Sequence, residues 1–263
     1  ELIMRKLLPT ALLSLVVIVL LAAAHPPSAR LKGMILYNRT VPALQPLAVS
    51  SQHTLCGQSV LNETLVVHKK GGLQNVLVFL ANIKPEALPP LELDLQMLNC
   101  RFQPHVLALG AGSQLTIHND DPMLHNVHAR LHEFIPGWDK TSTLDIFQDN
   151  DEASFNFAFP KKGGVAVDTL NKPGLIRLRS DAGYDWMTGY ILVMPHRYFA
   201  LTNKEGKFEL PELPPERYDM VLWHETLGVK RQIVDVKAGD KNELLLKWFP
   251  EETASTPDTT KTN

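Results

Sequence analysis

Cysteine is nearly absent from this sequence: its 263 residues hold two, Cys56 and Cys100. No C-x-x-C or C-x-x-C-H occurs, which excludes a zinc knuckle and a covalently attached c-type haem. Also missing are G-x-S-x-G, H-E-x-x-H and a Gly-rich phosphate loop. The stretch "WHETLG" has one His and one Glu but lacks the second His of a zincin, and no pair of carboxylates stands out for glycoside hydrolysis. No catalytic class is indicated, and the chain is expected not to be an enzyme. Clusters of Lys and Arg are lacking too. Of 26 Lys+Arg and 28 Asp+Glu, the first 24 residues hold Arg5, Lys6 and Glu1, so the rest of the chain has a net charge of −3. Such a chain does not track a nucleic-acid backbone.

Long apolar runs are scarce, and the main one lies at the start. Met4, Arg5 and Lys6 precede a nearly unbroken apolar stretch from Ala11 to Leu21, and Ala22, Ala23 and Ala24 follow as small residues. An apolar core of about 11 to 14 residues falls short of the about 20 that a membrane span needs. Residues 1–24 are therefore read as a secretory signal peptide and the chain as periplasmic or secreted, with membrane contact only if the segment stays uncleaved. Cleavage after Ala24 would leave His25 at the N-terminus, where an amine and an imidazole can chelate Cu(II).

In an oxidising compartment Cys56 and Cys100 are expected to pair. The bridge would close a loop of about 44 residues and contribute roughly 3 to 4 kcal/mol on the chain-entropy model. Two separately buried thiols are the alternative.

What the chain has in quantity is strand pattern. "NVLVFLA", "HVLALG", "SFNFAF", "GLIRLR", "GYILVM" and "YDMVLW" are short, rich in β-branched or aromatic residues, and bounded by Gly, Pro and Asn. That spacing argues for an all-β sandwich. A short helical turn is expected within "PEALPPLELDLQML". From Glu251 onward the chain is polar and lacks aromatics, the composition of a disordered tail.

Four of the ten histidines fall within "LTIHNDDPMLHNVHARLH". Read as a strand, residues 125–132 put Val127, Ala129 and Leu131 on one face, and Asn126, His128, Arg130 and His132 on the other. His125 joins the apolar face. His118 falls on the polar side with Thr116. His128 and His132 are roughly 13 Å apart along a strand, too far to share one ion. His125, opening its strand after the "NDDP" turn, is the candidate ligand, and a hydrogen-bonded core histidine is the alternative. His224 shares a strand face with Tyr218, Met220 and Leu222, which points to a buried role.

The arrangement "LTIHNDDPMLHNVH", then "KPGLIRLRSDAGYDWMTGYI", resembles the cupredoxins, the blue-copper β-sandwich proteins. With "CRFQPHV", "WMTGYILV", "HRYFALT" and "LPPERYDMVLWHE" added, the chain is similar to exported bacterial proteins of the methylamine-utilization or carboxypeptidase-regulatory-like type. The resemblance covers roughly residues 30–245. Such relatives carry C-x-x-H-x-x-M in the ligand loop, supplying a thiolate, an imidazole and a thioether beside the first His. Here the Cys position holds Asp181 and the second His position holds Tyr184, while Met187 remains. Blue-copper electron transfer is therefore not expected.

The resemblance implies a cupredoxin-like Greek-key sandwich at 25–195, then a carboxypeptidase-regulatory or transthyretin-like β-sandwich at 196–250 and a tail at 251–263. It implies a copper ion held by His125, Asp181, Tyr184 and Met187, with His128 joining if the strand begins after it. His105, His196 and His224 are expected around that site or a second one. The alternative is a degenerate, metal-free module that binds periplasmic proteins or carbohydrate. Thiol labelling of the denatured, non-reduced exported protein should find no free cysteine, and two labelled thiols would refute the pairing.

Overall fold

The computed structural model describes residues 28–140 and 146–249. The segments read as signal peptide and tail, and His25, lie outside the described residues. In chain order the strands begin with β1 (Ala29–Leu36), β2 (Leu47–Ala48), β3 (Ser59–Val60), β4 (Leu77–Leu80), β5 (Glu92–Leu98), β6 (Arg101–Gln103) and β7 (Val106–Gly110). They continue with β8 (Ser113–Asn119), β9 (His125–Phe134), β10 (Phe147–Phe159), β11 (Val165–Leu170), β12 (Gly174–Arg179) and β13 (Thr188–Met194). Last come β14 (Phe199–Leu201), β15 (Lys207–Glu209), β16 (Arg217–His224), β17 (Gly228–Asp235) and β18 (Gly239–Lys247). The one α-helix among the described residues is a single turn, α1 (His53–Cys56). The helical turn expected within 85–98 is absent there, because Glu92–Leu98 pairs in parallel with β8 as strand β5.

The fold is all-β. One sandwich packs the sheet β10-β9-β12-β13-β7 on the sheet β11-β8-β5-β6, and a second packs β14-β4-β16-β17 on β15-β1-β18. Strand alternation builds the first core: Val127, Ala129 and Leu131 of β9 meet Ile176 and Leu178 of β12 and Ile191 and Val193 of β13. Leu31 and Ile35 of β1, Val78 and Leu80 of β4, and Met220 and Leu222 of β16 build the second.

The boundary expected at 195/196 is crossed by both sheets of the second sandwich. Strand β1 pairs with β15 and β18, and β4 pairs with β14 and β16, so β1 and β4 belong to the second sandwich rather than the first. The first sandwich is held between these two parts of the chain. Close backbone approach seals the junction. Gly206 has φ of +79°, and a Cβ there would stand 2.6 Å from the carbonyl oxygen of Ile35, so a larger residue would displace β1.

The two sandwiches share a third apolar layer. The faces of β13 and β4 that point away from their own cores put Leu192 and Met194 in one cluster with Leu77 and Phe79, joined by Val221 and Trp223 of β16. This explains the continuous apolar runs "LVFL" and "YILVM", since a strand covered on both faces has no polar side to alternate with. Phe79 is wholly buried, its ring edge-on to Phe134 at the end of β9 and to Trp138 of the β9–β10 connection. Phe79→Ala should cost about 3 to 5 kcal/mol. Because the layer is common, urea unfolding read through Trp186 in the first core and Trp248 in the second should show coincident transitions, and two separated ones would contradict a shared layer.

Candidate functional site

Three connections meet at one end of the first sandwich. They are the turn Asn99–Cys100 between β5 and β6, the loop 120–124 between β8 and β9, and the loop 180–187 between β12 and β13. Segment 47–60 lies over them, with Val49 and Val60 buried in the first core and Cys56 bonded to Cys100. The expected disulfide is present.

The turn at 99–100 is left-handed at both residues, with φ of 54° at Asn99 and 58° at Cys100. That conformation suits a two-residue hairpin whose strands pair at Leu98 and Arg101 and is uncommon for Cys. Asp121 holds it: the amides of Asn99 and Cys100 each donate to its carboxylate at 2.8 Å. The loop carrying Asp121 is shaped by Asn119, which is wholly buried. Its amide donates to the carbonyls of Met123 (2.8 Å) and Phe159 (3.2 Å), and its oxygen accepts the Asp121 N–H at 3.1 Å.

His125 opens β9 on the core face, as parity predicted, and is wholly buried. Its Nε2 lies 2.9 Å from Asp121 Oδ2. Burial works against the Asp121 charge, but the His125 hydrogen bond and the two amides outweigh it and hold the carboxyl below its usual range. An ionised carboxylate only accepts, so the hydrogen sits on Nε2, and in the neutral ring Nδ1 keeps the lone pair. That Nδ1 is buried and has no hydrogen-bond partner among the described residues. The edge-on ring of Tyr184 stands 5.7 Å from the imidazole, centroid to centroid. Burial pushes the Tyr184 phenol up, against a hydrogen bond to Gln52, so the phenol stays protonated at neutral pH. Tyr184, Trp186 and Met187 belong to the same core, with the Met187 N–H closing a turn onto the Tyr184 carbonyl at 2.8 Å and Trp186 Nε1 donating to the Cys100 carbonyl at 3.1 Å.

Asp181 is elsewhere. Its Oδ2 lies 2.5 Å from His128 Nδ1 and its Oδ1 3.3 Å from Arg179 Nε, while its backbone N–H donates to Asn126 Oδ1 at 2.7 Å. His125 and His128 are an odd number of residues apart on one strand and so face opposite sides of the sheet. The expected donor set is thereby split, with His125, Tyr184 and Met187 in the core and Asp181 with His128 on the other face. His128 is not the solvent residue that parity alone suggests, since only 13% of its side chain is exposed beneath Asp181.

The other expected histidines are not part of this cluster. His105 hydrogen-bonds through Nε2 to Glu225 at the tip of the β16–β17 hairpin, a buried pair that bridges the sandwiches. His196 and His224 are each about 1% exposed. Their Nδ1 atoms accept the amides of Tyr198 and Thr226, both at 3.2 Å. Burial lowers both to about 4, with His105 adding to the effect on His224. Asp121 and Met123 were missed as site residues. The signal for Asp121 was its place four residues before His125 in the same turn.

The donors do not fit a blue-copper centre: both cysteines form the disulfide, no second imidazole stands at position 184, and Asp181 is engaged by His128 and Arg179. Among the described residues, no three His, Cys, Asp or Glu groups converge to hold a metal ion. What fits a metal is narrower, a buried imidazole lone pair oriented by a carboxylate.

No family model matches the sequence, and no curated protein matches it. Parts of the chain are similar to solved structures. Amicyanin from Paracoccus versutus is 17% identical over 44% of this chain and 97% of its own, with a TM-score of 0.29. A purple cupredoxin from Nitrosopumilus maritimus is 14% identical over 38% and 98%, with a TM-score of 0.27. A copper-containing nitrite reductase from Thermus scotoductus SA-01 is 21% identical over 44% of this chain, with a TM-score of 0.28, and the chain spans a quarter of its length. No described helix is long and apolar enough to cross a membrane.

The two depressed histidines set a pH dependence. Unfolded imidazoles take up protons below about 6.5, whereas His196 and His224 resist until about 4. The unfolded state therefore binds more protons between those values, so stability is full above about 6.5 and falls towards pH 4 by about 3 kcal/mol per histidine. Urea midpoints at pH 7 and pH 4.5 should differ clearly, and the His196→Gln, His224→Gln double variant should flatten most of that difference. Equal midpoints in the parent would contradict the burial account.

Proposed function

We propose that the protein is an exported copper-binding protein, not an enzyme and not a blue-copper electron carrier, with His125 Nδ1 as its principal donor. The observation that carries this reading is the buried, carboxylate-oriented lone pair of His125. Leaving a buried polar atom unpaired costs about 1 to 3 kcal/mol, and a bound ion removes that cost. A neutral imidazole beside a thioether favours Cu(I), and the Asp121 carboxylate, already taken up by His125 and two amides, is not open to a Cu(II) ion. Met187 is the thioether assigned beside His125, and Tyr184, held as the phenol, covers the ring. The site holds its ion in a dry, shaped core, a property suited to storage or transfer of the ion.

A metal-free interaction or carbohydrate-binding module is the second reading. It is favoured by the engagement of Asp181 with His128 and Arg179, which leaves one of the expected ligands on the face of the sheet opposite His125. Competition of the oxidised full chain with a colorimetric Cu(I) chelator separates the two. The copper reading expects one Cu(I) per chain and no intense visible colour. It expects His125→Gln to weaken binding more than tenfold, at least about 1.4 kcal/mol, with Asp181→Asn leaving it unchanged. No Cu(I) uptake would leave the metal-free module, and uptake indifferent to His125→Gln would remove His125 from the site.

A further inference from the structure

The disulfide does not stand alone. Met123 Sδ lies 3.8 Å from Cys56 Sγ and 3.9 Å from Cys100 Sγ, so three sulfurs converge under segment 47–60. Each cysteine is also fixed by contacts other than the S–S bond. Cys100 is held through its N–H by Asp121 and through its carbonyl by Trp186. Cys56 sits in α1, between the paired strands β2 and β3, and Val49 beside β2 and Val60 of β3 are buried in the first core. Breaking the S–S bond therefore leaves both sulfurs at Met123.

We propose that Cys56, Cys100 and Met123 form a second site, closed in the oxidised protein and opened by reduction, that takes one Cu(I). An external dithiol supplies the two electrons and two protons: the Cys56–Cys100 bond breaks, both sulfurs become thiols, and the dithiol leaves as its own disulfide. Cu(I) then replaces the thiol protons and is held by two thiolates and a thioether, the soft donor set that selects it. The spacing suits an ion. With the two cysteine sulfurs moved apart to the distance each already keeps from Met123, the centre of the triangle is about 2.2 Å from each sulfur, close to the ~2.3 Å of a metal–thiolate bond. This site is independent of the His125 lone pair and stands or falls separately from it.

The test is anaerobic Cu(I) titration of the full chain against bicinchoninate, before and after reduction with a phosphine that is then removed, with near-ultraviolet circular dichroism to follow folding. Reduction should add one equivalent of Cu(I). Met123→Leu should weaken that added equivalent at least tenfold, and the Cys56→Ser, Cys100→Ser double variant should lack it. His125→Gln should keep it, whatever it does to binding in the oxidised chain. Equal stoichiometry before and after reduction, retention of the added equivalent in the double-serine variant, or an affinity unchanged by Met123→Leu would each overturn the proposal. So would collapse of the tertiary signal on reduction, because the site needs both cysteines held in place without their bond.

Discussion

The Asp121 carboxylate is the interaction on which the site depends. One buried side chain takes the amides of the left-handed Asn99–Cys100 turn and the Nε2 of His125, so it positions a disulfide sulfur and an imidazole at once. Its charge is sustained by these three donors against burial. Loss of Asp121 would release the turn, leave two amides unpaired and free the histidine tautomer, so the effects of its replacement would not add like those of separate contacts. Asn119, two residues earlier, is the support beneath it, because the loop shape that aims Asp121 is held by the Asn119 side chain.

The layers explain why this end of the molecule is the place for chemistry. Strands β4, β13 and β16 are covered by apolar packing on both faces through the shared cluster, which closes the space between the sandwiches. Two charged pairs enter this interior, His105 with Glu225 and Arg231 with Asp219. The loop end of the first sandwich joins dry packing to the unpaired His125 Nδ1 and to a cluster of sulfurs.

Much of this is legible in the amino-acid sequence alone. Alternation in "HNVHARLH" places His125 with Val127, Ala129 and Leu131, and the structure buries all four. The cysteine pair is the expectation for two cysteines in an oxidising compartment, and the structure joins them. What the local pattern does not carry is pairing over long separations. Nothing in "ARLKGMIL" says that Leu31 will pair with Asn242, so the membership of β1 and β4 in the second sandwich is not legible there. The same limit misplaces Asp181. Loop spacing puts it level with a ligand position, but its side-chain direction is set by Asn126, His128 and Arg179 on the far face of the sheet, and such directions follow from tertiary contacts alone.

The central claim is that His125 presents a bare, oriented Nδ1 to a copper ion. Nitrogen-15 correlation spectra of the histidine rings in the oxidised full chain read this most directly. The account predicts the ring hydrogen on Nε2, and a shift of the Nδ1 resonance on adding one equivalent of Cu(I). A hydrogen on Nδ1, or an Nδ1 resonance unmoved by Cu(I), would contradict it.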